Sequence, residues 1–441
     1  GGYSHVETFD PKPALNQYAG MTFDKTPFEN PINSPLQKAR FRSVLAEEIN
    51  IRDVYPTIYP MQVGWKKHGE SGIEVTGIDI DPIRINKLKS GLSISEDVKD
   101  SQIRKLLDSN KYTPTSSYSE INSADIILIC VPTPLSKERK PDLTFVLDAA
   151  RSIGPNINNH PLIILESSVA PGTTSGILRR TLEEFDRPFD LAYSPERIDP
   201  TNKERTIRNT PKLVAGIDSA STLRAEIFYK NFIEKVITAK SPEIIEASKL
   251  LENSFRLVNI SLINEMAMYC EKVGINIIEV INAAATKPYG FMPFYPSIGV
   301  GGHCIPVDPI YLADSAKNIG IRMDMILTAD LINQSRPKHF IELAKSKLGT
   351  LMNKSILVIG ISYKAAVSDT RESASLTLIH QLRSLGANVD WNDDLVLNWN
   401  GEKSSQISNK YDLVFIANVA PNFKITEVDQ SKIIDTRGLL T

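Results

Sequence analysis

Apolar positions along the chain switch between two spacings, and the switches divide it into segments. From Ile73 the run IEVTGIDI alternates apolar and polar residues, the period of a half-buried strand. It ends in acids and passes into DPIRINKLKSG, which has helical spacing. SADIILICVPTPL is instead continuously apolar, as a strand buried on both faces of a parallel sheet must be. It stops at Val131-Pro132-Thr133-Pro134. LIILESSVAPGTT repeats the plan with Glu166, Ser167 and Ser168 at its end, and DLAYSPERIDP repeats it with Glu196. Open α/β sheets bind ligands at the carboxyl ends of their strands, where each of these polar loops falls.

From Ser241 to Val273 the spacing is helical without a break. Lys249, Asn253 and Arg256 share one face of that helix, spaced by four and three. A solvated stripe on an amphipathic helix has the same spacing, so position alone leaves both readings open. A second helical segment covers roughly 314–347. KSILVIGISYKAAVSDTRESAS, LGANVDWNDD and YDLVFIANV then build another strand-loop-helix unit. The pattern predicts an α/β protein with units at 73–238, 239–345 and 346–441, the middle one helical. Residues 1–72 follow neither period cleanly. GGYSHVETFDPKPALNQYAG reads as loop, and SPLQKARFRSVLAEEI as a helix with Ser34 and Pro35 at its start.

Composition narrows the function classes. At 441 residues the chain has room for two or three domains, and a net charge of -2 gives no basic footprint for nucleic acid. No apolar run reaches membrane-span length, and the start carries no signal-peptide pattern. Three cysteines, Cys130, Cys270 and Cys304, are too sparse for a disulfide framework, so a reducing, cytoplasmic setting is expected. His5, Glu7 and Asp10 read as solvated loop residues, and no metal is expected.

The densest chemistry lies in TKPYGFMPFYPSIGVGGHCIPVDPIYLA, residues 286–313. Gly299, Gly301 and Gly302 crowd Cys304, Asp308 follows, and Pro306 and Pro309 fix the turn. A thiol in such a loop beside a carboxylate suits a positioned nucleophile, and a buried structural cysteine is the competing reading. GVGGHCIPVDP closely resembles the catalytic cysteine loop of the UDP-glucose/GDP-mannose dehydrogenase family. Those enzymes use NAD to oxidise the C6 alcohol of a nucleotide sugar to a carboxylate. The likeness runs from about Ile73 to Arg437 through several ordered motifs, which makes it specific.

The resemblance implies two Rossmann-like doubly wound domains joined by a central helical domain that forms a homodimer. GIDIDPIRI resembles the ribose-binding strand, giving Asp79 and Arg84 contacts to NAD. CVPTP and ESSVAPGTT resemble the next cofactor-side loops, with Val131, Pro132, Thr133 and Ser168. YSPER supplies Glu196, the counterpart of a catalytic glutamate, with Arg197 at the substrate. KLLENSFRLVNISLINE supplies a catalytic Lys249 and a substrate-binding Asn253. Phe294, Tyr295, Gly299 and Gly301 fall at the sugar-nucleotide pocket. SYKAAVSDTRES makes Lys364 a substrate contact and Arg371 a cofactor contact, and DTRG places Arg437 at the sugar nucleotide. Ile260, Leu262, Ile263, Met266 and Met268 leave the long helix more apolar than solvent exposure needs, in keeping with the implied dimer.

The implied chemistry is covalent. After a first hydride transfer Cys304 captures the aldehyde, a second transfer gives a thioester, and water releases the uronate. Lys249 and Asn253 would stabilise the oxyanion, Asp308 with a water shared with Ser168 would take the first proton, and Glu196 would assist hydrolysis. SPER, Val307 and TKPYGFMPFYP resemble the branch acting on UDP-N-acetylglucosamine or UDP-N-acetylmannosamine, in surface polysaccharide biosynthesis. PSIG stands where that branch usually has PGPG. A UDP-glucose enzyme is the alternative.

The chain departs from the family at its start. A first strand and Gly-rich turn should seat the NAD diphosphate some twenty to thirty residues before Asp79. No glycine occurs between Gly20 and Gly64, and NIRDVYPTIYPMQVGWKKHGESG offers prolines instead. The N-terminal domain is therefore expected to lack its usual first strand and turn. KKHGESGIEV resembles the end of the family's first helix and the start of the next strand. It and SHVETFDPKPAL also resemble stretches of a secreted, sulfatase-like family. A protein that binds nucleotide sugar without turning it over is the rival function, and the lost turn is its support.

Overall fold

The computed structural model describes residues 62–67 (backbone path only), 73–94, 98–198, 204–365, 367–420 and 423–438. All belong to one compact unit, Ile49–Thr441. The helix expected after Ser34, the SHVETFDPKPAL stretch and His5, Glu7 and Asp10 lie outside the described residues.

The first sheet is built from β1 Gln62–Lys67, β2 Ile73–Ile78, β3 Tyr112–Thr115, β4 Ile126–Ile129, β5 Leu162–Leu165, β6 Asp190–Tyr193, β7 Lys212–Gly216 and β8 Val236–Thr238. Its helices are α1 Pro82–Lys89, α2 Asp100–Asp108, α3 Thr144–Ile153, α4 Arg179–Glu183 and α5 Ser219–Lys230. The strand order is β3-β2-β1-β4-β5-β6-β7-β8. Alternate side chains of the continuous apolar runs feed two different layers, which is why those runs carry no polar face. Leu128 and Ile164 pack with Ile85, Leu88, Ile103 and Phe228 of α1, α2 and α5. Ile127, Ile129, Ile163 and Leu165 pack with Val146, Ala150 and Leu182 of α3 and α4. Each such buried aliphatic side chain contributes about 1.5–3 kcal/mol of burial. Gly77 permits the close β2–β3 approach, since a Cβ there would lie 2.6 Å from the Tyr112 hydroxyl oxygen.

β1 occupies the centre of the sheet in reverse. Val63 faces both Gly77 and Leu128, and Trp65 faces Val75 and Ile126, antiparallel on both sides. The strands β2 and β4 that flank it run the same way as each other, parallel to β3, β5 and β6. The stretch KKHGESGIEV is therefore no helix end: Lys66 and Lys67 belong to β1. An unpaired gap between β2 and β4 would strand two rows of backbone donors and acceptors, and a strand in either direction satisfies them. The usual parallel first strand with its turn is not among the described residues.

The middle of the chain is helical: α6 Pro242–Val273, α7 Ile277–Ala285, α8 Asp308–Asn318 and α9 Asp324–Leu348. Pro242 starts α6 and Gly274, in the left-handed region at φ 73°, ends it. The single segment expected over 314–347 is two helices, because the chain reverses at Gly320, φ +80°. The second sheet, β9 Ser355–Ile359, β10 Asn388–Asn392, β13 Leu413–Ile416 and β14 Ile433–Asp435, has the order β10-β9-β13-β14 and is wholly parallel. Between β10 and β13 lies a two-stranded ribbon, β11 Asn398–Trp399 and β12 Glu402–Lys403. The helix α10 Ala374–Ser384 follows β9. Among the described residues no helix is long and apolar enough to cross a membrane.

Candidate active site

The cysteine loop is held from both sides by buried polar groups. Asn333 of α9 pairs with both the N–H and the carbonyl of Val300. Asn264 of α6 accepts from the Ser297 N–H at 2.9 Å, and Arg336 donates to the Ser297 carbonyl at 3.1 Å. The glycines of the loop serve close approach to the second α/β domain. A Cβ on Gly301 would sit 2.6 Å from the Glu372 carbonyl oxygen, and one on Gly302 would meet the Tyr363 ring at 2.8 Å. Gly299, φ +143°, passes as closely to Ala374. Small residues here let the backbone of the cysteine loop lie against the 363–374 loop.

Cys304 is solvent-exposed, and its carbonyl accepts the Asp308 N–H at 2.8 Å where α8 begins. Asp308 is 2% exposed, and Asn253 of α6 donates to its Oδ2 at 2.6 Å. The Ser168 hydroxyl approaches the same carboxylate and favours its charged form. Burial lifts the Asp308 carboxyl to about 6, against the pull of Lys249, Asn253 and Ser168. Although the residue keeps an exposed surface, the protein packed around the Cys304 thiol desolvates it, and this and then the Asp308 charge push the thiol up, while Lys249 and Arg256 draw it back. On that face of α6 Asn253 is buried against Asp308 and Lys249 is half-buried, while Arg256 stays exposed and acts on Cys304 through its charge.

Lys249 donates to the backbone carbonyl of Glu196 at 2.7 Å. The Glu196 carboxylate turns the other way. It accepts the N–H groups of Arg197 and Ile198 at 2.7 and 2.6 Å and lies 3.5 Å from the buried Lys212 ammonium. Lys212 in turn lies 3.2 Å from Glu166. Arg197 is committed to Glu252 at 2.7 Å and to the Pro211 carbonyl at 2.8 Å. Phe294 stacks edge-on to Phe255 at 5.8 Å, and Tyr295 is half exposed. Arg371 pairs with Asp369 in a fork at 2.7–3.1 Å, on the loop that also carries Lys364. Arg437 donates to the Val419 carbonyl within the second sheet domain.

The cofactor side is supported in two of its three parts. Asp79, at the end of β2, accepts the Asp81 N–H at 2.9 Å and pairs with Arg84 at 2.9 Å, as a ribose-binding carboxylate would be held. Val131, Pro132 and Thr133 leave β4 beside Ser167, whose hydroxyl donates to the Val131 carbonyl at 2.6 Å. Tyr311 of α8 clasps that loop, its hydroxyl 3.1 Å from the carbonyls of Pro134 and Asp142. These residues fit the adenosine and the reacting end of NAD. Between them β1 begins at the ligand edge, Gln62 opposite Ile78, so among the described residues no strand end and turn stand where the family's diphosphate seat is expected.

Sequence reasoning missed Tyr311, Lys212 and Glu246. Tyr311 falls at the end of the cysteine-loop stretch, and its clasp on Pro134 depends on contacts distant in sequence. Glu246 stands three residues before Lys249, so the shared helix face was its one available signal.

The architecture resembles solved sugar-nucleotide dehydrogenases. A structure of UDP-D-ManNAc dehydrogenase from Pyrococcus horikoshii is 28% identical and aligns over 83% of this chain and 90% of that one, TM-score 0.75. The UDP-N-acetyl-mannosamine dehydrogenase Cap5O of Staphylococcus aureus, 26% identical over 82% and 89%, gives 0.72. Residues 64–233 match the NAD binding domain, 243–335 the central domain and 357–441 the UDP binding domain of one family. The chain belongs to the UDP-glucose/GDP-mannose dehydrogenase family, and its cofactor is NAD. UDP-N-acetyl-D-glucosamine 6-dehydrogenase of Pseudomonas aeruginosa is 31% identical over 72% of this chain and 76% of its own length. UDP-N-acetyl-D-mannosamine dehydrogenase of Methanocaldococcus jannaschii is 33% identical over 72% and 73%.

Proposed function

We propose that the protein oxidises the C6 alcohol of a UDP-N-acetylhexosamine, the glucosamine or mannosamine form, to the uronate through a thioester on Cys304, in surface polysaccharide synthesis. The observation that carries this is the convergence of Cys304, Asp308, Asn253, Lys249 and Ser168 from three separate elements on one point. Bound NAD supplies the hydride acceptor, two equivalents for each sugar.

Asp308, ionised above about 6, takes the C6 hydroxyl proton while Ser168 and Asn253 hold its oxygens in place. Cys304 then adds to the aldehyde carbon, its thiol proton passing to the carbonyl oxygen as the C–S bond forms. The Lys249 ammonium and the Asn253 amide stabilise charge developing on that oxygen. A second hydride then leaves C6 for bound NAD as the adduct's hydroxyl loses its proton, and water cleaves the thioester so formed, giving carboxylate and free thiol. Glu196 supports this step through its backbone: its carbonyl fixes the Lys249 ammonium.

The N-acetylhexosamine preference rests on the relatives and on the SPER and cysteine-loop motifs. Val307 itself packs against Leu250 and Tyr311. Purified protein given NAD and either UDP-N-acetylhexosamine or UDP-glucose should favour the former and form two NADH per uronate. Equal or better turnover of UDP-glucose would sink the preference.

A homodimer is part of the reading. Leu251, Phe255, Leu262 and Tyr269 lie exposed along α6, while Ile263 is buried against α7. A monomer by light scattering at micromolar concentration would remove it.

A further inference from the structure

Glu246 is 0% exposed and lies on α6 three and seven residues before Lys249 and Asn253. Its carboxylate accepts three donors from the turn after β5: the Gly172 N–H at 2.6 Å, the Thr174 N–H at 2.9 Å and the Thr174 hydroxyl at 2.6 Å. Ser175 adds a bond to Glu243, one turn back on the same helix. The turn so held begins at Ser168, which reaches Asp308. That same start is pinned to the β4 loop, where the neighbouring Ser167 hydroxyl donates to the Val131 carbonyl. Gly172, φ +88°, has no atom within 4 Å of where a Cβ would be, so backbone shape alone demands glycine there. Such a turn holds its shape through what grips it, and Glu246 is the grip from the helix that carries the catalytic lysine.

We propose that Glu246 is a positioning residue: it ties the 168–174 turn to α6 and so keeps the Ser168 hydroxyl on Asp308. The inference rests on the dehydrogenase reading for its catalytic consequence, though the tie itself does not. A carboxylate suits three donors, whereas a protonated one turns an oxygen into a donor against N–H groups. Burial lifts this carboxyl to about 7, with Thr174 and Gly172 opposing and Glu243 adding to the rise. Tyr193 of β6 faces the same charge. The tie therefore loosens as pH falls through about 7.

The test uses the full chain with E246Q, S168A and their double variant. Amide hydrogen exchange at residues 172–174 should be roughly tenfold faster in E246Q than in the parent above neutrality. In the parent, protection should fall as pH drops through about 7, and in E246Q it should stay flat. For turnover, E246Q should lower kcat roughly tenfold with KM for the UDP-sugar within about twofold. S168A should do much the same, and the double variant should be no worse than either single one. A purely structural carboxylate would lower Tm, leave kcat per folded molecule alone and add independently to S168A, and that result overturns the proposal. Unchanged exchange in E246Q overturns it as well. T174V, which removes one donor and leaves the acid, covers the case in which E246Q does not fold: faster exchange at 172–174 sustains the tie, and parent-like exchange ends it. Should the parent form no uronate, the assigned reaction fails, and exchange alone decides the tie.

Discussion

The two α/β domains of this protein solve the same packing problem with opposite strand directions at their centres. In the second sheet β9 runs parallel to both neighbours and ends in Gly360, φ +85°, where a Cβ would strike the Asn418 carbonyl oxygen at 2.5 Å. In the first sheet β1 fills the equivalent slot antiparallel, and its last residue lies at the edge away from the ligand. Both arrangements satisfy the backbone and close the sheet. Only the parallel one delivers a turn, and then the N-terminus of a helix, to the edge where phosphates bind. Pairing is indifferent to direction, whereas binding depends on it. Among the described residues the second sheet thus brings a strand end and its turn to that edge, and β1 of the first sheet brings its start instead.

The largest effect should come from the chemistry itself. Cys304→Ala should abolish uronate formation, a loss of at least about 10⁴-fold, as for other nucleophiles. UDP-sugar affinity, read by calorimetry, should hold, because the second domain supplies its contacts. Uronate made at the parent rate would end the covalent mechanism.

Next in size is the cofactor. Each charge-assisted hydrogen bond missing from the diphosphate costs on the order of 1.5–3 kcal/mol. Two missing bonds weaken NAD roughly a hundredfold to ten-thousandfold against a relative with the Gly-rich turn. Asp79 and Arg84 hold the adenosine end and cannot replace that cradle. The chain should therefore bind UDP-sugar well, bind NAD poorly and turn over slowly. Grafting a family-type strand and turn ahead of Ile73 should restore NAD affinity without changing that for UDP-sugar. A micromolar NAD dissociation constant for the unaltered chain would contradict this.

The contrast between the domains also explains what could be read in the sequence. The runs around Ile127 and Ile163 announced buried parallel strands because both faces of each are apolar, a property of the strand alone. The reversal of β1 left no such mark. A six-residue strand pairs with Val75 or Leu128 in either direction, and direction is set by where the chain enters. The site was legible through the ordered motifs that carry Cys304, Asp308, Lys249 and Asn253. What those motifs could not give was orientation. That Glu196 offers Lys249 a carbonyl and sends its carboxylate to Lys212 depends on residues sixteen or more positions apart. The sequence shows the loop glycines beside Cys304, and only the assembled domains reveal that they make room for Tyr363 and Glu372.

The smallest effect concerns how the first domain tunes the acid-base group of the site. Asp308 must be ionised to accept a proton, and its carboxyl sits at about 6 because it is buried. The parent kcat should therefore be level above that pH and fall about tenfold for each unit below it. The Ser168 hydroxyl, contributed by the first sheet, lowers that value by bonding the charged form. Removing it in Ser168→Ala leaves Asn253 and Lys249 to hold the charge. The acid limb should move up by about one unit, since one unit is roughly 1.4 kcal/mol, within the range of one bond to a charge. At pH 8 the shift adds little to the loss of positioning, and its own effect grows as pH falls through about 7. A pH profile of kcat for parent and variant measures this directly. An unmoved limb would mean that Asp308 is set by the helical middle alone, and that the first domain contributes only the cofactor.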